Sequence, residues 1–336
     1  MRRPSAWLLL MLLLLVPVER ASAISCTTQS QMTSAERAEL GGSVSEMAAY
    51  AASGNTAALR SETLPSIAPQ FEGIASTEGG LAPVLRGATL SIENLYLLHA
   101  EDLKSNEDEA QFFCSVPGSS LLVTVTIPQL PAGTYALAIV HGNGVAKPQQ
   151  MGIILARGAK AGAAAPWQLA GFYARPLTIA GHDGVWYWTR ARELGKAQQR
   201  WSAYFYYQSA AFLLTPVDLF SSPNLSKLER ESAAVMPQGL PGRGTQTMPV
   251  VAGDQSFAVT SLSTDGALGG LDLVLHYNAN AGNVDPVFAR TQALLLMHAF
   301  LEEHAEVRAN FHGLWVYAES AGHQPFAVEL PMDQIQ

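Results

Sequence analysis

The chain has 336 residues, of which 48% are hydrophobic and 14% are charged. This composition allows a large buried core and excludes an intrinsically disordered protein. The 28 acidic residues outnumber the 20 basic ones, so the chain repels phosphates and we expect no nucleic-acid partner. The length predicts two or three domains.

Residues 1–23 have the three-part layout of a cleavable signal peptide. Arg2 and Arg3 precede an apolar run over residues 7–16, and the small residues 21–23 follow. We expect an exported protein, periplasmic or extracellular, with no membrane span after signal cleavage. A retained anchor and a lipid attached at Cys26 are the alternatives.

Cys26 and Cys114 are the two cysteines of the chain. In an oxidising compartment we expect a disulfide between them, which would tie the N-terminal segment to a β-rich region. Two unpaired thiols are the alternative, because a sequence does not place the Cα atoms within bridging distance. We expect no Cys/His metal centre from so few cysteines.

The first predicted elements are helices. Thr33 and Glu36 have the spacing of a capping box, and apolar residues then recur at helical spacing until Gly54, which predicts the end of that helix. A shorter helix is predicted over 56–64. From residue 89 the hydrophobic period becomes two, which predicts antiparallel strands and an α+β order.

These elements carry a family resemblance. The helix that ends at residues 51–55, the proline-broken helices after it and the late strand Trp-Gln-Leu-Ala-Gly-Phe-Tyr at 167–173 resemble the cone-shaped fold of the ketosteroid isomerase and nuclear transport factor superfamily, also called SnoaL-like. The resemblance covers residues 30–176. It implies a curved antiparallel sheet wrapped around N-terminal helices. Because that superfamily includes isomerases, dehydratases and non-catalytic modules, it does not select a function, and no catalytic Tyr and Asp pair can be mapped.

Residues 177–235 are predicted as an aromatic-rich helical hairpin. Its helices span 185–196 and 200–214, and Pro216 ends the second. Ala203, Tyr207 and Ala210 have a spacing that resembles a tetratricopeptide second helix, so residues 185–216 are similar to one such hairpin. There is one copy, whereas a repeat array needs about three.

The rest of the chain is predicted as a linker over 236–254 and a β-β-α-β-β module over 255–336. Asp285 and Pro286 have the residue types of an N-cap and a first helical position. The predicted elements of the module are strands over 257–262 and 271–277, a helix over 286–310, and a hairpin over 313–319 and 325–330.

The sequence has no Gly-x-Ser-x-Gly elbow, no His-Glu-x-x-His zinc pair and no phosphate-binding loop. An acidic cluster over 101–109 lacks the spacing of a calcium loop and is predicted to be a solvated loop between strands. His298 and Glu302 lie four residues apart on the predicted C-terminal helix, which is common on helix surfaces. We expect no cofactor and no metal.

The segment 181–188 carries the most specific candidate site. His182 and Asp183 could supply acid and base groups beside an aromatic wall of Trp186, Tyr187 and Trp188. The alternative is structural: Asp183 caps the following helix, and the aromatic rings fill a core.

The helix after it also carries aromatic residues on more than one face, including Trp201 and Tyr206. Tyr and Trp combine an apolar ring with a polar group, as ligand-binding and protein-binding surfaces do. Packing between domains is the alternative, because a helix that is apolar all round is usually buried.

Together these features predict an exported, non-catalytic binding or protein-interaction protein. Its ligand, a small molecule, a glycan or a protein, would contact the hairpin and the mouth of the cone. One alternative is an isomerase-like or hydrolase-like enzyme with a pocket inside the cone, using His182 and Asp183 or a pocket histidine such as His141. The other is a structural component of the cell envelope.

Overall fold

The computed structural model describes residues 24–116, 118, 122–158, 165–242, 246–279 and 285–335, which form an α+β protein. The predicted signal peptide lies outside the described residues. The helices are α1 (Ser34–Ser53), α2 (Thr56–Ser61), α3 (Phe71–Leu81), α4 (Gly184–Lys196), α5 (Arg200–Leu214), α6 (Pro223–Val235), α7 (Pro286–Glu303) and α8 (Ala305–Asn310).

The strands are β1 (Ser25–Thr28), β2 (Thr89–Ala100), β3 (Glu107–Ser115), β4 (Leu122–Leu130), β5 (Gly133–Asn143), β6 (Gln149–Gly158), β7 (Gln168–Pro176), β8 (Thr178–Ile179), β9 (His182–Asp183), β10 (Phe220–Ser221), β11 (Met248–Ala252), β12 (Gln255–Asp265), β13 (Asp272–Asn278), β14 (Gly313–Glu319) and β15 (Phe326–Pro331).

The N-terminal domain is built on an antiparallel sheet of order β1-β2-β5-β6-β7, with α1, α2 and α3 on one face. The capping box predicted at the start of α1 is present, because Thr33 Oγ1 accepts the backbone N–H of Glu36 and Glu36 accepts that of Thr33. Gly54 ends α1 in the left-handed conformation, with φ of 73°. Val44, Ala48 and Ala51 have no exposed surface and belong to the core between α1 and this sheet.

A second sheet of order β10-β4-β3 covers the opposite face of the first. The predicted disulfide is confirmed: Cys26 on β1 is bonded to Cys114 on β3, with Cα atoms 5.1 Å apart. The prediction that residues 101–109 are a loop is wrong for residues 107–109, which begin β3. The first three residues of β3 are charged and exposed, and its buried side chains begin only at Ala110, so the start of the strand has no alternating hydrophobic pattern.

The predicted helical hairpin exists as α4 and α5, and a third helix that was not predicted, α6, packs against α5. Ser222 caps α6 by accepting the backbone N–H of Leu225, and Pro223 occupies its first turn. This start signal is legible in the sequence. The segment is therefore a three-helix layer rather than a hairpin alone.

The C-terminal module is a five-stranded sheet of order β11-β12-β13-β14-β15. Its strands pair antiparallel except for β13 and β14, which are parallel and are connected through α7 and α8. Its buried side chains merge with those of α4, α5 and α6 into one core. The helical layer is thus packed onto this module.

Two boundaries of the module differ from prediction. Residues 248–252 form edge strand β11 instead of continuing the linker, and Pro249 is tolerated there because it lies on an edge strand. Residues 243–245 of the predicted linker lie outside the described residues. The predicted single helix over 286–310 is broken at His304, so the order is β-β-β-α-α-β-β. Of the described helices, none combines the length and the apolar character needed to cross a membrane.

Candidate functional site

Helix α5 is fixed at its N-terminus by the C-terminal module. Gln199, its N-cap residue, makes no capping hydrogen bond with its own side chain. Instead, Glu306 on α8 accepts the backbone N–H groups of Trp201 at 2.6 Å and Ser202 at 3.3 Å. A carboxylate satisfies unpaired amides and stabilises the positive end of the helix dipole.

The C-terminus of α5 is fixed by the N-terminal domain. Arg175 on β7 donates from Nη1 to the carbonyl oxygen of Thr215 at 2.8 Å and to that of Phe212 at 3.4 Å. Its guanidinium also lies 5.1 Å from the ring centroid of Phe212. The guanidinium is also ion-paired with Asp218, so it is fixed in place while it donates to the unpaired carbonyl oxygens at this end of the helix. The two ends of α5 are therefore held by the C-terminal module and by the N-terminal domain.

A cleft of about 770 Å³ opens beside α5, where the three parts of the chain meet. One wall comes from the turn between β5 and β6 and from the end of β7. A second comes from the β8–β9 hairpin and the end of β12. The volume is in the range of small-molecule sites, roughly 300–1,000 Å³, and such sites often lie between domains.

Helix α5 lines the cleft with Tyr204, Gln208 and Phe212, which are spaced four residues apart and so share one face. Phe212 is exposed and Tyr204 is half-buried. Burial raises the pKa of the Tyr204 hydroxyl, so it stays protonated at neutral pH and can both donate and accept a hydrogen bond. This face offers a ligand two rings with an amide between them.

The other walls add polar and charged groups. Lys147 lies on the β5–β6 turn and Asp265 at the end of β12, so the cleft carries one charge of each sign. Both residues are exposed. Thr264 is held by a 3.1 Å hydrogen bond between its hydroxyl and that of Ser209. The cleft therefore combines aromatic, amide, hydroxyl and charged side chains.

The predicted site residues His182 and Trp186 form an exposed stack next to this cleft. Their ring centroids are 3.6 Å apart with planes within 10°, and Trp186 is 39% exposed. Asp183 is the N-cap of α4, because its carboxylate accepts the backbone N–H of Trp186 at 2.8 Å. The structural alternative considered for Asp183 is thus the role it has here.

Two more predicted residues pack against that stack from the core, with ring centroids 5.0 Å from Trp186 for Tyr187 and 6.2 Å for Tyr206. Tyr187 and Tyr206 are buried, and their hydroxyls donate to backbone carbonyl oxygens of Ile179 and Asn310. Burial raises the pKa of both hydroxyls. These two rings pack the core rather than face solvent.

Trp188 and Trp201 are half-buried at two packing contacts. Trp188 donates from Nε1 to Glu231 on α6, and the guanidinium of Arg192 lies 4.4 Å from its ring centroid. The hydrogen bond from Arg192 holds the pKa of the Glu231 carboxyl below its usual range. Trp201 packs 4.0 Å from the ring centroid of His304. Trp188 thus joins α4 to α6 within the helical layer, and Trp201 joins α5 to the end of α7 in the C-terminal module.

The sequence therefore predicts α5 but not the side of this helix that lines the cleft. The spacing of Tyr204, Gln208 and Phe212 was the available signal, and the polar residue between two aromatic ones distinguishes this face from the buried one. No sequence pattern indicates that the β5–β6 turn and the end of β12 line the same cleft, because only the tertiary fold brings them next to α5.

Other groups considered from the sequence lie elsewhere. His298 and Glu302 form an exposed pair 3.7 Å apart on α7. Across the described ranges, no three His, Cys, Asp or Glu residues are grouped so that they could hold a metal ion. Comparison with family models, with curated proteins and with solved structures finds no match for this chain.

Proposed function

We propose that this protein is an exported, non-catalytic binding protein that holds a small amphiphilic molecule in the cleft beside α5. The observation that carries the proposal is the cleft itself: about 770 Å³, with an aromatic wall, convergent polar groups and two opposite charges. Pockets that combine apolar walls with a few placed polar groups are typical of small-molecule sites.

The chemistry of the walls favours a small molecule over a macromolecule. Tyr204 and Phe212 provide contact with a flat or aliphatic part of a ligand, while Gln208 can exchange hydrogen bonds with its polar groups. Lys147 and Asp265 would pair with an anionic and a cationic group. A concave site of this size encloses a small molecule, whereas a protein partner needs a larger and flatter surface.

The disulfide between Cys26 and Cys114 supports export, because disulfides form and persist in oxidising compartments. The leader over residues 1–23 is the sequence feature that agrees with it. The family resemblances of residues 30–176 and 185–216 stay predictions and carry none of the argument.

A binding role is favoured over an isomerase-like enzyme by the packing under the predicted cone. Buried side chains such as Val44, Ala48, Ala138 and Ile153 lie between α1–α3 and the sheet, each with no exposed surface. The cleft lies outside this layer. His141, the histidine considered for an interior pocket, is paired with Glu93 at 3.8 Å on the opposite face of the sheet, and burial lowers its pKa.

Native mass spectrometry tests the proposal. The purified mature protein is incubated with a small-molecule extract of the cells that produce it, and bound species are read as mass adducts. We expect an adduct on the wild type that Ala267→Trp removes, because Ala267 is exposed at the rim and a large ring there would fill the cleft.

The matched control is Ala57→Trp, at an exposed position on α2 away from the cleft. It should keep the adduct, and both variants should unfold at the wild-type temperature. The proposal would be contradicted if the wild-type protein shows no adduct. It would also be contradicted if the Ala267→Trp variant shows as much adduct as the wild type.

A further inference from the structure

A second cavity lies in the C-terminal module, between one end of its sheet and the start of α7. It has a volume of about 460 Å³, and its walls come from the start of β12, the end of β13 and the first turns of α7. It shares no lining residue with the cleft beside α5, and the proposed function does not use it.

The cavity forms where two strands of the sheet separate. Strands β12 and β13 are paired as far as Val259 and Tyr277, and their pairing ends there. From Val259 back to Gln255, β12 is paired with β11 alone. The two strands therefore diverge and leave a gap between them, which opens into the cavity.

Ser256 presents free backbone groups to this gap. A two-residue turn joins β11 to β12, so Ala252 and Gln255 form a hydrogen-bonded pair, and such pairs alternate along the two strands. Ser256 lies between two hydrogen-bonded pairs, and its N–H and C=O groups therefore point away from β11. No described strand is paired with Ser256 on that side, so one backbone donor and one acceptor are free.

Two side-chain amides share the cavity with those backbone groups. Gln255 lies on the same face of β12 as Phe257, which belongs to the core between the sheet and the helices. Gln292 lies on α7. Both line the cavity, and neither side chain makes a hydrogen bond with a described residue. Since a carboxamide donates from its nitrogen and accepts at its oxygen, the two side chains offer both kinds of group to a ligand.

The rest of the lining is uncharged and includes one exposed ring. Phe288 on α7 is 39% exposed and provides an apolar surface beside the amides. No residue of the lining is Asp, Glu, Lys, Arg or His. A charged ligand would lose part of its hydration here without gaining a partner of opposite charge, so the lining favours an uncharged ligand.

These groups suit the chemistry of a neutral sugar. Sugar hydroxyls both donate and accept hydrogen bonds, as the carboxamides and the free backbone groups do, and the C–H face of a sugar ring can pack on a phenyl ring. The volume is in the range of small-molecule sites, roughly 300–1,000 Å³. A peptide strand suits the gap less well, because strand addition uses free backbone groups along several residues of an edge.

We propose that this cavity binds one neutral sugar residue. Its hydroxyl groups exchange hydrogen bonds with the side chains of Gln255 and Gln292 and with the backbone of Ser256. Its C–H face packs on the ring of Phe288. The proposal is independent of the cleft beside α5, because the two sites have no residue in common.

An NMR titration of the purified mature protein tests the proposal. The probes are glucose, galactose, mannose and N-acetylglucosamine, each as the free sugar and as its methyl glycoside. We expect at least one probe to cause saturable shifts of the side-chain amide signals of Gln255 and Gln292 and of the backbone amide signal of Ser256. The proposal is overturned if no probe moves these signals.

The two forms of each probe distinguish the source of the sugar. Binding of a methyl glycoside supports the terminal residue of a glycan as the ligand, because its anomeric oxygen is already substituted. Binding of the free sugar alone supports a monosaccharide. The uronate with the same ring stereochemistry should bind at least about tenfold more weakly, because its carboxylate finds no cation in the lining. A uronate that binds as tightly as the neutral sugar contradicts the proposal.

Gln292→Leu tests the amide wall. This change keeps the approximate size of the side chain and removes its hydrogen-bonding groups, so affinity for the sugar should fall at least about fivefold. The matched control is Gln111→Leu, at an exposed glutamine on β3 in the N-terminal domain, which should bind as the wild type does. Equal affinity of the two variants argues against the site.

Phe288→Ala tests the ring without changing any polar group of the cavity. Because Phe288 is exposed, we expect the variant to keep the wild-type circular dichroism spectrum and to bind the sugar at least about threefold more weakly. Phe113→Ala, at an exposed ring on β3, is the matched control and should bind normally. Wild-type affinity in Phe288→Ala refutes the proposal, including in the case where Gln292→Leu does not fold.

Discussion

The carboxylate of Glu306 accepts the backbone N–H of Trp201 at 2.6 Å, so a residue of the C-terminal module caps the helix that lines the cleft. Because the helix has no cap of its own, its first turn depends on the position of α8. The geometry of the cleft is thereby tied to the packing of the C-terminal module.

Glu306→Ala should lower the free energy of unfolding by about 1–2 kcal/mol, the usual effect of losing a helix cap. Urea denaturation followed by circular dichroism measures the change. Glu302→Ala, at an exposed carboxylate on α7, is the control and should change stability by less than about 0.5 kcal/mol. Equal stability of the two variants would show that the cap contributes nothing.

His304 should make the protein less stable as the pH falls below about 6.5. Burial lowers the pKa of its imidazole, which packs on Trp201 and Phe300, and the nearest carboxylate oxygen, of Glu303, is 3.9 Å away. The imidazole of His304 therefore binds a proton more readily in the unfolded chain than in the folded one. Its contribution to the free energy of unfolding is fully present above the pKa of the unfolded state and is lost as the pH falls from there toward the lower pKa of the folded state. Burial lowers the pKa of His141 as well, with the same sign.

His304→Phe keeps a ring between its neighbours and removes the titration. Its free energy of unfolding should therefore fall less than that of the wild type between about pH 7.5 and about pH 5.5. Thr291→Val, at an exposed position of α7 without a titratable group, is the control and should leave the wild-type pH dependence unchanged. Identical pH profiles for wild type and His304→Phe would rule out this role.

The disulfide should contribute substantially to stability, because it closes a loop of 88 residues in sequence separation. Replacing both Cys26 and Cys114 by serine should lower the free energy of unfolding by about 2–5 kcal/mol. Urea denaturation gives the value, and the serine variant should not respond to added reductant. A variant as stable as the wild type would mean that the bond adds nothing to the packing of β1 on β3.

Much of the fold followed from local patterns. Pro216 and the aromatic run predicted α5 with its observed bounds, and the capping box at Thr33 and Glu36 predicted the start of α1. Strand β11 was missed because Pro249 suggests a loop unless the strand is known to lie at a sheet edge. Edge position is a property of the assembled sheet and is not legible in a single segment.

The candidate site was less predictable for the same reason. The sequence predicts His182 and Asp183 as candidate acid and base groups because they lie beside aromatic residues. In the structure, Asp183 caps α4 and His182 stacks on Trp186. The cleft instead joins Lys147, Tyr204 and Asp265, which are distant in sequence. Only the packing of three separate parts brings such residues together.

Tyr204→Phe should weaken binding of the molecule recovered from the cleft by about fivefold, the effect of losing one hydrogen bond worth about 1 kcal/mol. Titration calorimetry with that molecule measures the change. Tyr317→Phe, on the outer face of the C-terminal sheet, is the control and should have no effect. If the two variants bind equally well, the Tyr204 hydroxyl does not contact the molecule.

Fluorine NMR on protein carrying fluorotyrosine at Tyr204 tests the central claim most directly. The small-molecule extract is added to this protein and, in parallel, to protein labelled at Tyr317. We predict that the Tyr204 signal shifts and that the shift disappears in the Ala267→Trp variant, while the Tyr317 signal stays in place. A Tyr204 signal that does not move while an adduct is present in the mass spectrum would contradict binding in this cleft.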